Sequence, residues 1–237
     1  RFRTNSMFDL ANYYSNSPVL LDEHFRSAYP IIQFSNKEFY GNRIRIMTKD
    51  AGTDDVLELH HVVEGKVDSD CTRNMPEVEA VIKRIHELIA EDDGNDENPV
   101  SIGIISPFRG QVDLIQKALC QVLTETTIRK HQIEVGTAHT FQGDERDVMI
   151  LSFAVADNSF VQSLTFLQKP NLFNVAITRA RKKLICFISR NPKTLPQGLL
   201  RDYIEYIQQY LDAAKDDEFR KNTYKNEFER NVAEAFI

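Results

Sequence analysis

The chain has 237 residues, 42% of them hydrophobic and 27% charged, with a formal net charge of −6. This is the arithmetic of one large or two modest globular domains, and no apolar run reaches the roughly 20 residues that a bilayer-crossing helix needs, so no membrane partner is expected. Cys71, Cys120 and Cys186 are far apart and lack paired-ligand spacing. That excludes a disulfide scaffold or a Cys-rich zinc site, and points to a reducing compartment: cytoplasmic, or nuclear in a eukaryote. The acidic total argues against adhesion to nucleic acid over the whole surface but leaves room for a local basic groove. The opening Arg1-Phe2-Arg3-Thr4 lacks Met and precedes no signal-type stretch, as expected of a segment cut from something longer.

In chain order, Pro30 to Tyr40 reads as a helix carrying Ile31, Ile32, Phe34 and Phe39, stopped by Gly41-Asn42. Ile44 and Ile46 alternate with Arg43 and Arg45 as a short half-exposed strand, and Leu57 to Val63 forms another. Asn74-Met75-Pro76-Glu77 is a helix start, with Asn74 as cap, Glu77 at the capping-box position and Pro76 in the first turn. Val78, Val81, Ile82, Ile85, Leu88 and Ile89 follow at helical spacing, and Glu91 to Glu97 reads as a solvated acidic loop.

From Val100 the rhythm changes. Val100 to Ser106, Ile133 to Thr137, Val148 to Phe153 and Leu184 to Ile188 are short apolar strands separated by helices. Near-continuous apolar strands of this kind predict a mostly parallel sheet covered on both faces, in a three-layer α/β/α fold. Leu199 to Leu211 makes a late helix, a helical extension from about residue 197, and the mixed-charge tail from Asp212 to Arg230 is expected on the surface. With no internal repeat, residues 1–237 read as one domain.

Several motifs are missing. The sequence holds no G-x-x-x-x-G-K-[ST] phosphate loop (Walker A), no G-x-G-x-x-G and no G-x-S-x-G. His24 and the adjacent His60-His61 supply no convergent third ligand, so no metal site is expected. What stands out instead are three polar clusters beside strand ends, where open α/β sheets place ligands. They are Leu21 to Pro30, Thr137 to Asp147, and Asn174 to Lys183.

Leu21 to Pro30, Thr140-Phe141-Gln142-Gly143-Asp144-Glu145-Arg146-Asp147, and Asn174-Val175-Ala176-Ile177-Thr178-Arg179-Ala180-Arg181 resemble motifs IV, V and VI of superfamily 1 helicases. The resemblance is to the branch that includes the nonsense-mediated-decay helicase. Asn74 with Glu77, and Ile105-Ser106-Pro107-Phe108 before Gln111, match as well, so the likeness runs from about Leu20 to about Ser189. It implies a RecA-like, P-loop NTPase-type domain without its own Walker A. This would be the second of two motor domains that close on ATP while gripping single-stranded DNA or RNA. The first RecA-like domain would lie upstream in the same polypeptide and hold most of the Mg2+.

By the same resemblance, Arg179 is an arginine finger toward the γ-phosphate and Arg26 a second phosphate-facing guanidinium. The physical reason is that charge grows on phosphoryl oxygens during transfer, and a guanidinium meets it with two parallel donors. Glu145 would accept from the ribose hydroxyls, since a carboxylate offers acceptors only. Gly143 would give a turn or close backbone approach, and Gln142 would bind nucleotide or relay between the two sites. Thr137, His139, Thr140, Pro107 and Arg109 would face the backbone of the strand, with hydroxyl and N–H donors that release at each step. Leu172 to Lys193 carries six bases and no acid, a patch for nucleic acid or a solvated face. Taken alone the chain is expected to be inactive. The alternative is a noncatalytic nucleic-acid- or partner-binding module derived from such a domain.

Overall fold

The computed structural model describes residues 11, 13, 14, 21–48, 56–70, 72–92, 94, 95, 97–160, 164, 167–214 and 231. The tail expected on the surface lies outside them beyond Ala214. Seven strands are present among the described residues: β1 Glu23–His24, β2 Arg45–Ile46, β3 Leu57–His61, β4 Ile102–Ile105, β5 Glu134–Gly136, β6 Arg146–Ser152 and β7 Ala180–Ile188. Six α-helices accompany them: α1 Tyr29–Tyr40, α2 Met75–Glu91, α3 Arg109–Val122, α4 Glu125–Lys130, α5 Pro170–Ile177 and α6 Leu199–Ala214. None of these helices is long and apolar enough to cross a membrane.

Five strands form one sheet in the order β3-β7-β6-β4-β5, and every neighbouring pair is parallel. The predicted parallel sheet is therefore present, and the reason lies in alternation. Successive side chains of a strand face opposite ways. Leu184, Cys186 and Ile188 enter a core shared with Ile31 and Phe34 of α1, Phe173 and Ile177 of α5, and Tyr203, Ile204 and Ile207 of α6. Ile185 and Phe187 enter the opposite core, against Val78, Val81 and Ile85 of α2 and Val112, Ile115 and Leu119 of α3. A strand buried on both faces must be apolar throughout. The result is three layers, α/β/α. β1 and β2 pair separately, in parallel, outside this sheet.

Two expectations need correction. Asn74 does cap α2, its Oδ1 accepting the Glu77 N–H at 3.3 Å, but the capping box is not closed. The Asn74 N–H donates to Gln111 Oε1 at 2.8 Å instead. The Glu77 carboxylate turns into the protein and accepts from Ser152 Oγ at 2.7 Å, the Ala154 N–H at 2.8 Å and Ser189 Oγ at 2.9 Å. The ends of β6 and β7 supply buried donors there, and a fully buried acid satisfies them. Burial pushes the Glu77 carboxyl up to about 7, although these bonds pull the other way.

The basic run is also not a plain solvated face. Because β7 lies between β3 and β6, its bases meet acids from both neighbours. Arg181 and Lys182 each reach Asp147 Oδ1 at 3.2 Å, and Lys183 reaches Glu58 at 2.6 Å. Glu58 also binds Arg84 of α2 at 2.9 Å, in a largely buried ion cluster.

Candidate nucleotide and nucleic-acid site

The candidate residues divide between the two ends of the sheet. Pro107, Arg109, Thr137 and His139 lie beyond the carboxyl ends of β4 and β5, where a crevice is expected. Glu145 and Arg179 lie immediately before β6 and β7, at the amino ends. The expectation that every cluster would sit where open sheets place ligands therefore holds for the first group and fails for the second. The link from residue 137 to 145 runs from one end to the other. Phe141, fully buried in its middle, pins it to the core.

At the amino end, Arg26 sits between β1 and α1, and its Nη1 meets Glu145 Oε2 at 3.3 Å. Its Nη2 donates to the Thr178 carbonyl at 3.0 Å. Arg181 Nη1 approaches the other Glu145 oxygen at 3.6 Å and is itself held by Asp147. Glu23, His24, Phe25, Arg26, Glu145 and Arg181 line an open groove of about 520 Å³. Phe25 is 66% exposed within this lining, although the sequence places it in a polar cluster and marks out no role for it. His24 accepts the Ser27 N–H at Nε2, 2.9 Å away. Burial, then the Arg26 charge, lowers the His24 pKa to about 4, so this imidazole is neutral and adds no charge to the groove.

Arg179 occupies the short connection between α5 and β7. Its Nε donates to the Val175 carbonyl at 3.1 Å and its Nη2 to Thr178 Oγ1 at 3.3 Å. These bonds seat a cation at the C-terminus of α5, where the helix dipole favours one. Among the described residues no carboxylate forms a salt bridge with Arg179. Burial, then the neighbouring Arg26 charge, lowers its pKa from the ordinary arginine value, and Glu145 opposes them. The helix also clasps α1 through Asn174, which accepts from Ser35 Oγ and donates to the Tyr40 hydroxyl at 3.1 Å.

At the carboxyl end, Pro107, Arg109, Thr137 and His139 form part of the lining of a cavity of about 280 Å³ whose floor is Leu151, Phe153 and Phe173. Thr140 folds back, its Oγ1 accepting the Thr137 N–H at 3.2 Å. A Cβ on Gly136 would come within 2.5 Å of Thr140, so this close turn requires glycine. Gln142 and Gly143 are exposed and line neither the cavity nor the groove. Gly143 has φ +89°, a turn that only glycine adopts readily, and a Cβ there would meet nothing within 4 Å. The turn is thus its requirement within this chain, and crowding is not.

The protein-family model described as AAA domain matches residues 3–191. Helicase SEN1 of Saccharomyces cerevisiae is 27% identical over 222 residues, covering 86% of this chain and 10% of that protein. The uncharacterized ATP-dependent helicase MG140 of Mycoplasma genitalium is 28% identical over 212 residues, 80% of this chain and 18% of its own length. The regulator of nonsense transcripts 1 homolog of Arabidopsis thaliana is 37% identical over 113 residues, 46% of this chain and 9% of that protein. The chain therefore spans between 9% and 18% of these three relatives.

Proposed function

Because the chain belongs to the AAA domain family, as a RecA-like superfamily 1 helicase domain with an α/β P-loop NTPase fold, we propose that it is the second motor domain of an ATP-dependent DNA or RNA helicase or translocase. We read residues 1–237 as one such domain, from the branch of the nonsense-mediated-decay helicase, working with an upstream RecA-like domain of the same polypeptide. The observation that carries this reading is the gathering of Arg26, Glu145 and Arg181 in one groove, with Arg179 a residue away from the Thr178 carbonyl that Arg26 holds.

In this reading Arg179 and Arg26 stabilise charge that grows on the transferring phosphoryl group. Glu145 exchanges guanidinium partners for the ribose hydroxyls, and Phe25 offers its face to the base. Thr137, His139, Thr140, Pro107 and Arg109 hold the backbone of the single strand at the far end of the link. Gln142 and Gly143 lie midway, where movement at one end reaches the other. Both carboxylates of the groove are already paired, Glu145 with Arg26 and Arg181 and Glu23 with Arg45, a donor set that does not suit Mg2+. The upstream domain is the expected holder of the metal.

The test is ATP turnover by the full-length protein, with and without single-stranded DNA or RNA. Stimulation by one of the strands is expected. Turnover indifferent to both, or absent from a folded preparation, would remove the motor reading and favour a noncatalytic binding module.

A further inference from the structure

Arg146 lies between Glu145 and Asp147, at the first position of β6. In the structure its guanidinium is nearly enclosed, at 11% exposure, and almost every N–H is engaged. Nε donates to the Gln132 carbonyl at 3.1 Å, and Nη2 meets Glu134 Oε2 at 2.7 Å, both at the start of β5. Nη1 donates to the Glu145 carbonyl at 2.8 Å and meets Asp144 Oδ1 at 2.7 Å. Asp144 Oδ1 in turn accepts the Glu145 N–H at 2.8 Å. The guanidinium also lies 5.8 Å from the centre of the Phe141 ring. Finally, the Arg146 N–H donates to the Arg179 carbonyl at 3.2 Å, where β6 and β7 begin to pair.

We propose that Arg146 is a positioning residue, a clamp that fixes the backbone on both sides of Glu145 and so sets its carboxylate for the nucleotide ribose. This rests on the ribose reading of Glu145 proposed above. The geometry needs arginine in particular. The contacts lie around a planar fork, and they tie the link to β5 on one side and to Glu145 on the other. A lysine ammonium is one point with three donors and cannot span them. The adjacent turn at Gly143 is intrinsically permissive and Phe141 anchors the link before it, so the Arg146 fork holds the stretch between that turn and β6.

A residue that merely supported the fold would, when removed, lower stability and leave nucleotide preference alone. A clamp on Glu145 predicts a selective loss. In the full-length protein, KM and kcat are measured with ATP and with 2′-deoxy-ATP, for wild type and for Glu145→Gln, Arg146→Ala, Arg146→Lys and Arg84→Ala. Arg84 belongs to the ion cluster with Glu58, lines no part of the groove, and serves as the destabilised control. A hydrogen bond from the 2′-hydroxyl to a carboxylate corresponds to a KM preference for ATP of roughly tenfold or more. Wild type and Arg84→Ala should keep it. Glu145→Gln and both Arg146 variants should lose most of it through the KM for ATP, with kcat changing less. If Arg146→Ala is poorly folded, Arg146→Lys, which keeps charge and bulk, carries the test. Loss in Glu145→Gln with full preference in the folded Arg146 variants would overturn the clamp and leave the ribose reading standing. No preference in wild type, or an unchanged one in Glu145→Gln, would overturn the ribose reading and the clamp with it.

Discussion

Arg26 donates to the carbonyl of Thr178 at 3.0 Å across a sequence separation of 152 residues. The side chain proposed as the second phosphate ligand therefore grips the backbone immediately before the proposed finger. The two arginines form a linked pair.

Linked residues do not contribute independently, and interaction energies of about 0.5–3 kcal/mol are usual for side chains in one network. In the full-length protein, Arg26→Ala combined with Arg179→Ala should lose less kcat/KM for ATP than the two single losses multiplied together. A double variant that equals their product would show that the Thr178 bond carries no functional coupling.

Arg179 itself should act in the transition state. Arg179→Ala, and to a lesser degree Arg179→Lys, is expected to lower stimulated kcat by roughly 10³- to 10⁵-fold, the range of arginine fingers. Affinity for an unreactive ATP analogue should change far less. Losing its bonds at the C-terminus of α5 should cost only about 1 kcal/mol of stability, within the range for a cation at a helix end. Near-normal kcat in a well-folded Arg179→Ala protein would end the assignment.

The 237-residue chain by itself should neither turn over ATP nor hold a strand tightly. Phosphate release is expected at background, with or without single-stranded nucleic acid. Anisotropy titrations should give a Kd of ~10⁻⁴ to 10⁻⁶ M that weakens with added salt, as for nonspecific backbone contacts. Magnesium-dependent turnover in independent preparations would reveal a nucleotide site of its own, and tight sequence-selective binding would favour the stand-alone module.

Glu77 makes a pH prediction with a definite sign. Its folded pKa, about 7, lies above the ordinary 4.5, so between those values the folded chain binds more protons than the unfolded one. Stability from this group is present below pH 4.5 and is lost as pH rises through 7, by about 3 kcal/mol at most. Glu77→Gln keeps an acceptor for Ser152 and Ala154 and cannot ionise. Urea unfolding at pH 5 and pH 8 should show the wild type losing stability relative to this variant at the higher pH. An equal response of both proteins would place the Glu77 pKa near its ordinary value.

What the sequence disclosed followed burial on two faces. Ile102 to Ile105 and Val148 to Leu151 could hardly be anything but interior strands, because helices cover them above and below. β1 was invisible: Glu23-His24 has no apolar pattern and becomes a strand only by pairing with Arg45-Ile46. α4 is hard to see for a related reason, since none of its residues is buried and its supports are the Thr124 cap on the Thr127 N–H and the exposed Glu125–Arg129 pair. Asn74 and Glu77 have the spacing of a surface cap and of a buried anchor alike, and only the ends of β6 and β7 decide between them. The family resemblance singles out Arg26, Glu145 and Arg179 as candidates without showing that they gather near the amino ends of β6 and β7. The clamp of Arg146 depends on Gln132 and Glu134, contacts that no local pattern encodes.

The strand order has a consequence for how such a chain is born. Among the described residues β7 is the last strand in sequence yet lies inside the sheet, between β3 and β6, so Leu57 must wait for Leu184 before it has a neighbour in it. During vectorial synthesis β3 emerges before β4, β5, β6 and β7 and has no partner in the sheet until β7 follows. Long-range parallel pairing of this kind is slow, and waiting strands are open to wrong partners. Three of the five residues of β3 are polar, Glu58, His60 and His61, and the acid among them is the one that later receives Lys183. A strand carrying these polar side chains is a poorer template for wrong partners than an all-apolar one.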